Sequence, residues 1–67
     1  MSTIRKYRQK RELSQEALAR LVGVERSTVA KWEAGSNKPR ADKLLALARV
    51  FQCSLDDLLL RKPDEYF

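Results

Sequence analysis

The sequence predicts an all-α domain, and three observations support this prediction. Apolar residues recur at helical spacings of three and four, while no stretch alternates between apolar and polar residues as a strand would. Residues that cap or end helices separate the periodic stretches. The chain has 67 residues, which suffices for one small hydrophobic core. We therefore expect one compact domain of five short helices.

Local start and stop signals define the first two helices. The first follows a Ser-Thr pair near the N-terminus and is expected to end near Lys10. Its candidate inward-facing residues are Ile4, Tyr7 and Arg8. Ser14 is a good N-cap, because its hydroxyl can accept a hydrogen bond from a first-turn amide, and it precedes a second helix over residues 15–22. Gly23 tolerates the positive φ at which that helix ends and the chain turns.

The third helix is expected over residues 26–34. Val29 and Trp32 lie three positions apart and so share its buried side. Trp32 could instead stack on bases, but its place beside Val29 favours a core role. Glu25 stands at the N-cap, where glutamate is weaker than Ser, Thr or Asp, although its charge suits the positive end of a helix. Gly35 ends the helix.

A polar loop and two further helices complete the predicted domain. Pro39 disfavours helical angles at the residue before it, so a loop over residues 36–40 separates the third and fourth helices. The fourth helix is expected over residues 41–51. Its apolar stripe comprises Leu44, Leu47, Ala48 and Phe51. Ser54 caps a fifth helix over residues 55–60.

The end of the chain predicts a tail and an apolar edge. Pro63 prevents a longer fifth helix, so we expect a domain over residues 1–62 and a short tail over residues 63–67. Three consecutive leucines cannot all be buried in one small core, because successive helical positions point about 100° apart. A second copy of the chain is the simplest surface to cover the remainder. We therefore expect a dimer interface at Leu58, Leu59 and Leu60.

Positive charge is concentrated in the body of the chain. The net charge is +5, and residues 1–53 hold 12 basic and 5 acidic side chains. Residues 54–67 hold 2 basic and 4 acidic side chains. A basic body with a mildly acidic end favours a polyanionic partner, and nucleic acid is the commonest one for a domain of this size.

Composition argues against several other classes of protein. The chain has no histidine and one cysteine, Cys53, so it offers neither a disulfide nor a set of zinc ligands. No nucleophile has a base at a useful spacing, and both glycines end helices instead of forming a phosphate-binding loop. No apolar run approaches the ~20 residues of a membrane span, and no signal peptide is visible. We expect a cytoplasmic protein without enzymatic activity, metal or cofactor, with Cys53 as a small apolar residue.

The most informative stretch covers residues 15–34. Two short helices that cross steeply need a small residue at the crossing and a turn residue without a side chain, and Ala19 and Gly23 meet these needs. Apolar side chains must also hold the pair against the rest of the domain. Five residues can do so: Leu18, Val22, Val24, Val29 and Trp32. Together these features predict a helix-turn-helix.

The chain here resembles a known family. The segments SQEALA at 14–19, GVERSTVAKWEAG at 23–35, KP at 38–39 and LDDLL at 55–59 are similar to the phage-repressor and Cro-like (Xre) helix-turn-helix family. The resemblance covers about residues 4–60. It implies a compact five-helix, lambda-repressor-like domain whose second and third helices read double-stranded DNA. It further implies a transcriptional regulator, most often a repressor of a prokaryotic cell or phage, that binds a roughly palindromic operator as a homodimer.

The resemblance also implies roles for individual residues. The sites that match base-contacting positions are Arg26, Ser27 and Lys31. Those that match or extend the DNA backbone contacts are Gln15, Thr28, Ser36, Asn37, Lys38 and Arg40. Arg8 and Glu33 match a structural ion pair between the first and third helices. Two residues depart from the family pattern, Glu25 at the third N-cap and Gln52 where a glycine often ends the fourth helix.

A second interpretation remains open for the same fold. The chain could be a protein-binding module, either an antitoxin that clasps a toxin or an adaptor that has lost DNA binding. An antitoxin would more often carry a longer disordered segment after the domain, and only seven residues follow Leu60. This favours a dimeric regulator. A test of binding to DNA distinguishes the two interpretations.

Overall fold

The structure is a computed structural model and describes residues 3–59, apart from the side chains of Asp56 and Leu59. These residues form five helices and no strand: α1 (Thr3–Lys10), α2 (Gln15–Val22), α3 (Arg26–Ala34), α4 (Ala41–Phe51) and α5 (Leu55–Leu59). The predicted all-α class is confirmed. The expected last residue of α5, Leu60, and the tail over residues 63–67 lie outside the described residues. Within the described range, no helix is both long enough and apolar enough to cross a membrane.

The predicted caps bound α2. The Ser14 hydroxyl accepts a hydrogen bond from the backbone N–H of Ala17 at 3.0 Å, which satisfies one amide that the first turn leaves without a partner. At the other end, Gly23 adopts a φ of 77°, and its N–H donates to the Ala19 carbonyl. A left-handed residue at this point lets the chain turn directly into the approach to α3.

Nine apolar side chains form the core of the described residues. They come from all five helices: Ile4, Leu18, Ala19, Val22, Val29, Trp32, Leu47, Phe51 and Leu58. Tyr7 of α1 stacks on Phe51 of α4 with ring centroids 5.4 Å apart, which joins these two helices. Trp32 is 7% exposed, so the prediction that it belongs to the core is confirmed.

The structure describes the side chain of one of the three leucines predicted at a dimer interface. Leu58 is 9% exposed and packs within the core of its own chain, which leaves little of its side chain for a second copy. Helical phase decides this, because α5 presents only one side to α4 and Leu58 lies on it. The side chain of Leu59 and the whole of Leu60 lie outside the described residues.

Cys53 lies half-buried in the link between α4 and α5 and packs against the core. Burial raises the pKa of its thiol, and the negative charge of Asp57 raises that pKa further. Both effects disfavour the thiolate, which is the reactive form of cysteine. The environment therefore agrees with the prediction of a small apolar residue.

The residue that ends α4 is a glutamine, whereas glycine is usual at a left-handed helix end. Gln52 occupies the left-handed region with a φ of 56°, and its N–H donates to the carbonyls of Ala48 and Arg49. The Arg11 guanidinium donates to the neighbouring Phe51 carbonyl at 2.5 Å. A cation at the negative end of a helix is favourable, so Arg11 supports a helix end whose backbone conformation is strained for a residue with a side chain.

Replacing Gln52 by glycine is expected to raise the free energy of unfolding. Relief of the left-handed strain, about 1–2 kcal/mol, exceeds the added entropy of the unfolded chain, about 0.4–1 kcal/mol, and leaves a net gain of about 0.5 kcal/mol. Thermal unfolding should show a midpoint about 2–4 °C higher. Gln52→Ala is the matched control, because it removes the same side chain and keeps the strain. An equal gain in both variants would mean that the side chain of Gln52, and not its backbone conformation, destabilises the wild type.

Candidate nucleic-acid interface

The α2–α3 pair presents one side of α3 to solvent. Ala19, 3% exposed, lies in the core face of α2 and lets the two helices approach closely. Val29 and Trp32 anchor α3 on its inner side. The three residues predicted to contact bases all lie exposed on the outer side: Arg26, Ser27 and Lys31. Ser27 and Lys31 lie four positions apart and so share a face of the helix, and Arg26 directly precedes Ser27.

A chain of polar contacts connects the start of α3 to α2. The Arg26 Nη1 donates to Gln15 Oε1 at 3.2 Å. The other end of the same amide donates, from Gln15 Nε2 to Glu33 Oε1, at 3.1 Å. Gln15 thus bridges two side chains that both belong to α3, one at its first turn and one at its last. The first residue of α3 is thereby braced from a neighbouring helix.

Arg8 and Glu33 form the ion pair between α1 and α3. Arg8 donates twice to the carboxylate, from Nε to Oε2 at 2.7 Å and from Nη2 to Oε1 at 3.1 Å. A third bond runs from Arg8 Nη1 to the Leu13 carbonyl at 2.7 Å. The side chains are 12% and 4% exposed, so the pair is enclosed. Two parallel hydrogen bonds are the arrangement that a planar guanidinium makes best with a carboxylate.

Opposing effects act on the pKa of Glu33. Burial raises this pKa, because it disfavours the charged form. Hydrogen bonds from Arg8 and Gln15 and the charges of Arg8 and Arg5 lower it by more, so the pKa lies below its usual value. The stabilisation that follows is present above the ordinary pKa of a glutamate and is lost as the pH falls through the lowered pKa of the folded state.

A cleft of about 450 Å³ lies beside α3. Its walls come from the turn before α3, from α3 itself, from the following loop and from the start of α4. Four of the predicted backbone-contacting residues line it, namely Thr28, Asn37, Lys38 and Arg40, together with Val24, Trp32, Asp42 and Lys43. Ser36 is exposed but is not among the lining residues. Gln15 lies apart from the cleft, in the contact with Arg26 described above.

The sequence analysis did not identify two basic residues that the structure places at these sites. Lys43 lines the cleft and donates to the Val22 carbonyl at 3.1 Å, which ties α4 to the end of α2. Arg5 lies one turn before Arg8 on α1, with its Nε 4.0 Å from Glu33 Oε1. The spacing of Arg5 and Arg8 on one helix was a usable signal. Lys43 carried none, because its partner is a backbone carbonyl far away in sequence.

Glu25 takes the N-cap position of α3 as predicted, with an extended backbone and no hydrogen bond from its side chain to the helix. Arg40 precedes α4 in the same way, without a side-chain cap. Neither cap side chain satisfies a first-turn amide, although the Glu25 carbonyl accepts from the Thr28 N–H at 2.9 Å. At α4 these amides lie next to the cleft, where cationic side chains prevail over the single carboxylate of Asp42.

Comparison with known proteins agrees with this geometry. The sequence pattern of the helix-turn-helix family matches residues 4–58. The repressor protein C2 of Salmonella phage P22 is 41% identical over 56 residues, which are 84% of this chain and 26% of that protein. An uncharacterized HTH-type transcriptional regulator of Bacillus subtilis, YobD, is 39% identical over 56 residues, 84% of this chain and 50% of that protein. The chain therefore spans between a quarter and a half of these two relatives.

The fold is shared with a solved protein–DNA complex. A crystal structure of the P22 c2 repressor in complex with the synthetic operator 9T, in the presence of Tl⁺, superposes with a TM-score of 0.82 at 37% identity. The match covers 88% of this chain and 94% of that one.

Proposed function

This chain belongs to the helix-turn-helix family, and on that premise we propose that it is a transcriptional regulator that binds double-stranded DNA with α3 in the major groove. One observation carries the proposal most directly. Arg26, Ser27 and Lys31 share the exposed side of a helix whose other side is locked into the core. Family membership also agrees with the expectation that this domain is not an enzyme.

Base recognition is assigned to the outer side of α3. Arginine can donate two hydrogen bonds to the O6 and N7 atoms of guanine, the commonest specific contact in the major groove. Arg26 is the best placed for this, because it opens the helix and its guanidinium is braced by Gln15. Lys31 and Ser27 lie on the same side and can donate to further base edges. A helix inserted with its first turn foremost brings these side chains to the bases.

Backbone binding is assigned to the cleft. Phosphate oxygens accept hydrogen bonds from cations, amides and free helix N–H groups, and the cleft collects all three at one place. Lys38, Arg40 and Asn37 follow α3 directly, so they meet the DNA strand beside the groove that α3 enters. Thr28 lines the cleft from α3 itself. Such contacts position the protein and supply affinity that depends on salt, without reading sequence.

A second copy of the chain would extend the site. The nine residues of α3 span about 14 Å, which covers only about four base pairs. A sequence this short occurs too often in a genome to address one promoter. Two copies related by a two-fold axis would place their third helices about 34 Å apart on a roughly palindromic operator. This supports a homodimer, with Leu59 and Leu60 kept as the candidate interface.

Repression is the expected outcome of such binding. A dimer seated over a promoter occupies the surface that RNA polymerase needs, and this requires no further activity of the protein. The relative from phage P22 is itself a repressor. The protein would act in the cytoplasm of a prokaryotic cell or of a cell that carries a phage, because the DNA that it binds lies there.

Selection from a library of random DNA duplexes tests the proposal. The purified protein should enrich a palindromic consensus, and the affinity for that consensus should fall steeply as salt is raised. Scrambled duplexes of the same length are the control and should bind far more weakly. Weak binding without sequence preference at every salt concentration would contradict the proposal and favour the protein-binding module instead.

The division of labour between Arg26 and Lys38 predicts two different phenotypes. Arg26→Ala should flatten the base preference at one position of each half-site, with a loss of about 1–3 kcal/mol of discrimination there. Lys38→Ala should weaken binding to all sequences alike and reduce the slope of log affinity against log salt by about 1. Binding titrations over a set of single-base operator variants at several salt concentrations measure both effects.

Arg20→Ala serves as the matched control for both variants. Arg20 is an exposed arginine on α2 that contacts Glu16 and does not line the cleft. Its removal should leave the base preference unchanged and the salt slope nearly so. A uniform loss of affinity in Arg26→Ala, like that in Lys38→Ala, would show that Arg26 contacts the DNA backbone.

A further inference from the structure

We propose that Glu33 is a positioning residue for base recognition: acting through Gln15, it sets the orientation in which Arg26 meets the DNA. This inference rests on the proposed function, because it concerns how the exposed side of α3 is prepared for a base. Glu33 itself does not face the groove. Its side chain is 4% exposed and lies at the far end of α3, seven positions after Arg26.

The carboxylate of Glu33 decides which way the Gln15 amide points. An ionised carboxylate only accepts hydrogen bonds, so the group facing it must be the NH₂ end of the amide. Gln15 Nε2 indeed donates to Glu33 Oε1 at 3.1 Å. The carbonyl end is therefore left on the opposite side, where Gln15 Oε1 accepts from Arg26 Nη1 at 3.2 Å. With the amide reversed, both contacts would bring like groups together.

Arg26 can be held only by an acceptor. A guanidinium has five N–H donors and no acceptor, so the NH₂ end of an amide cannot bind it. An amide with its oxygen towards α3 restricts the guanidinium, whereas a reversed amide would release it. A long side chain restricted before binding loses less conformational freedom when it pairs with a base. The preference of Arg26 for its base thus depends on the chemistry of Glu33.

Arg8 makes this orientation robust. Its two hydrogen bonds to Glu33, at 2.7 and 3.1 Å, hold the carboxylate in one place. A low pKa keeps Glu33 ionised at neutral pH and hence purely an acceptor. The ion pair ties α1 to α3. Its contact with Gln15 adds a second consequence, because Arg26 and Glu33 lie two turns apart on the same helix and clamp Gln15 between them.

Replacing Glu33 by glutamine reverses this order of donors and acceptors. The Arg8 guanidinium would take the oxygen of the new carboxamide, which turns its NH₂ group towards Gln15. Gln15 must then accept with its oxygen, and its own NH₂ group faces Arg26. The variant keeps the size and shape of the side chain, so the change is one of hydrogen-bond polarity.

The experiment compares Glu33→Gln, Gln15→Met, their combination and Glu16→Gln. Selection from random duplexes first locates the base position whose preference Arg26→Ala removes. At that position Glu33→Gln should lose about fivefold in base discrimination and leave the other positions unchanged. Glu16→Gln is the matched control, because it makes the same chemical change in the exposed ion pair with Arg20, outside this network. It should change discrimination by less than about twofold.

The combined variant separates a path through Gln15 from a general loosening of the fold. In the Gln15→Met background, Glu33→Gln should have no further effect on base discrimination, since the connecting amide is already absent. An equal further loss in that background would overturn the proposal. So would full discrimination at the Arg26 position in Glu33→Gln itself. If this variant does not fold, Arg8→Lys/Glu33→Gln replaces it, because lysine at position 8 has only donors and still takes the oxygen of residue 33, while its flexible stem lets the charge reach solvent.

A measurement on the free protein keeps this inference separable from the proposed function. Nitrogen-15 relaxation of the Arg26 Nε reports how strongly the guanidinium is held. Its order parameter should fall in Glu33→Gln and in Gln15→Met and should stay unchanged in Glu16→Gln. If the wild type selects no duplex but this pattern appears, the proposed function fails and the positioning by Glu33 stands. An unchanged order parameter in Glu33→Gln overturns the positioning, whatever the DNA result.

Discussion

Replacing Arg8 by methionine is expected to lower the free energy of unfolding by about 3–5 kcal/mol at neutral pH. The variant leaves the Glu33 carboxylate, 4% exposed, without its main partner. An unpaired buried charge is far less stable than the pair, because the lost attraction is not replaced by water. A chain of 67 residues has a total stability of roughly 3–10 kcal/mol, so this loss removes a large share of it. Urea titration followed by circular dichroism measures the change.

Two controls define the cause of this loss. Arg20→Met removes an arginine from the exposed pair with Glu16, whose side chains are 79% and 70% exposed, and should change stability by less than about 0.5 kcal/mol. Arg8→Met/Glu33→Leu removes both charges and should recover much of what Arg8→Met loses. No recovery in the double variant would mean that Arg8 stabilises the fold mainly through Leu13 or through packing.

The loss of stability caused by Arg8→Met should depend on pH. In the wild type the lowered pKa of Glu33 gives a stabilisation that is present near pH 7 and disappears as the pH falls through that pKa. Without Arg8, a hydrogen bond and the larger of the two charges that lower this pKa are lost, so the pKa of Glu33 rises relative to the wild type and acidification costs the variant less stability. The difference in stability between wild type and Arg8→Met should therefore narrow as the solution is acidified. A difference that stays constant down to acidic pH would contradict the assignment to Glu33.

Trp32→Ala is expected to destabilise the protein by about 3–5 kcal/mol. Trp32 is 7% exposed and anchors α3 beside Val29, which is fully buried. Its truncation leaves a cavity under the helix that carries the candidate base-contacting residues. Because the core has only nine buried side chains among the described residues, the remaining contacts cannot compensate for this loss. Chemical denaturation measures the loss. DNA affinity should fall with the folded fraction.

A second substitution at the same position separates packing from base stacking. Trp32→Leu keeps an apolar side chain and removes the aromatic face, so it should retain more stability than Trp32→Ala and leave DNA affinity per folded molecule unchanged. If Trp32 stacked on bases, Trp32→Leu would lose about 1–3 kcal/mol of affinity while remaining folded. Such a result would contradict its assignment to the core.

The helices could be predicted from the sequence because their ends are determined locally. Ser14 caps α2 through an amide three residues away. Gly23 and Gly35 adopt left-handed backbone angles that would be strained for a residue with a side chain. Such effects act within one turn of chain. The same holds for the exposed side of α3, since Val29 and Trp32 define the buried side and helical spacing then places Arg26, Ser27 and Lys31 opposite.

Which of the three leucines near the end of the chain is buried could not be predicted from local sequence. The spacing of three consecutive leucines excludes burial of all of them but does not say which one faces inward. Packing against α4 decides this, and it selects Leu58. The phase of a short helix about its own axis depends on its partner surface, which belongs to a different part of the chain.

The sequence by itself determined the fold class, the helix limits and the side of α3 that is free to meet DNA, because each follows from backbone preferences and helical periodicity over a few residues. Only the tertiary structure decided that Lys43 reaches the end of α2 and that Glu33 contacts Gln15 as well as Arg8. Long polar side chains have many rotamers and can reach several partners. Which partner they bind depends on distances between helices, and these are set only when the core has packed.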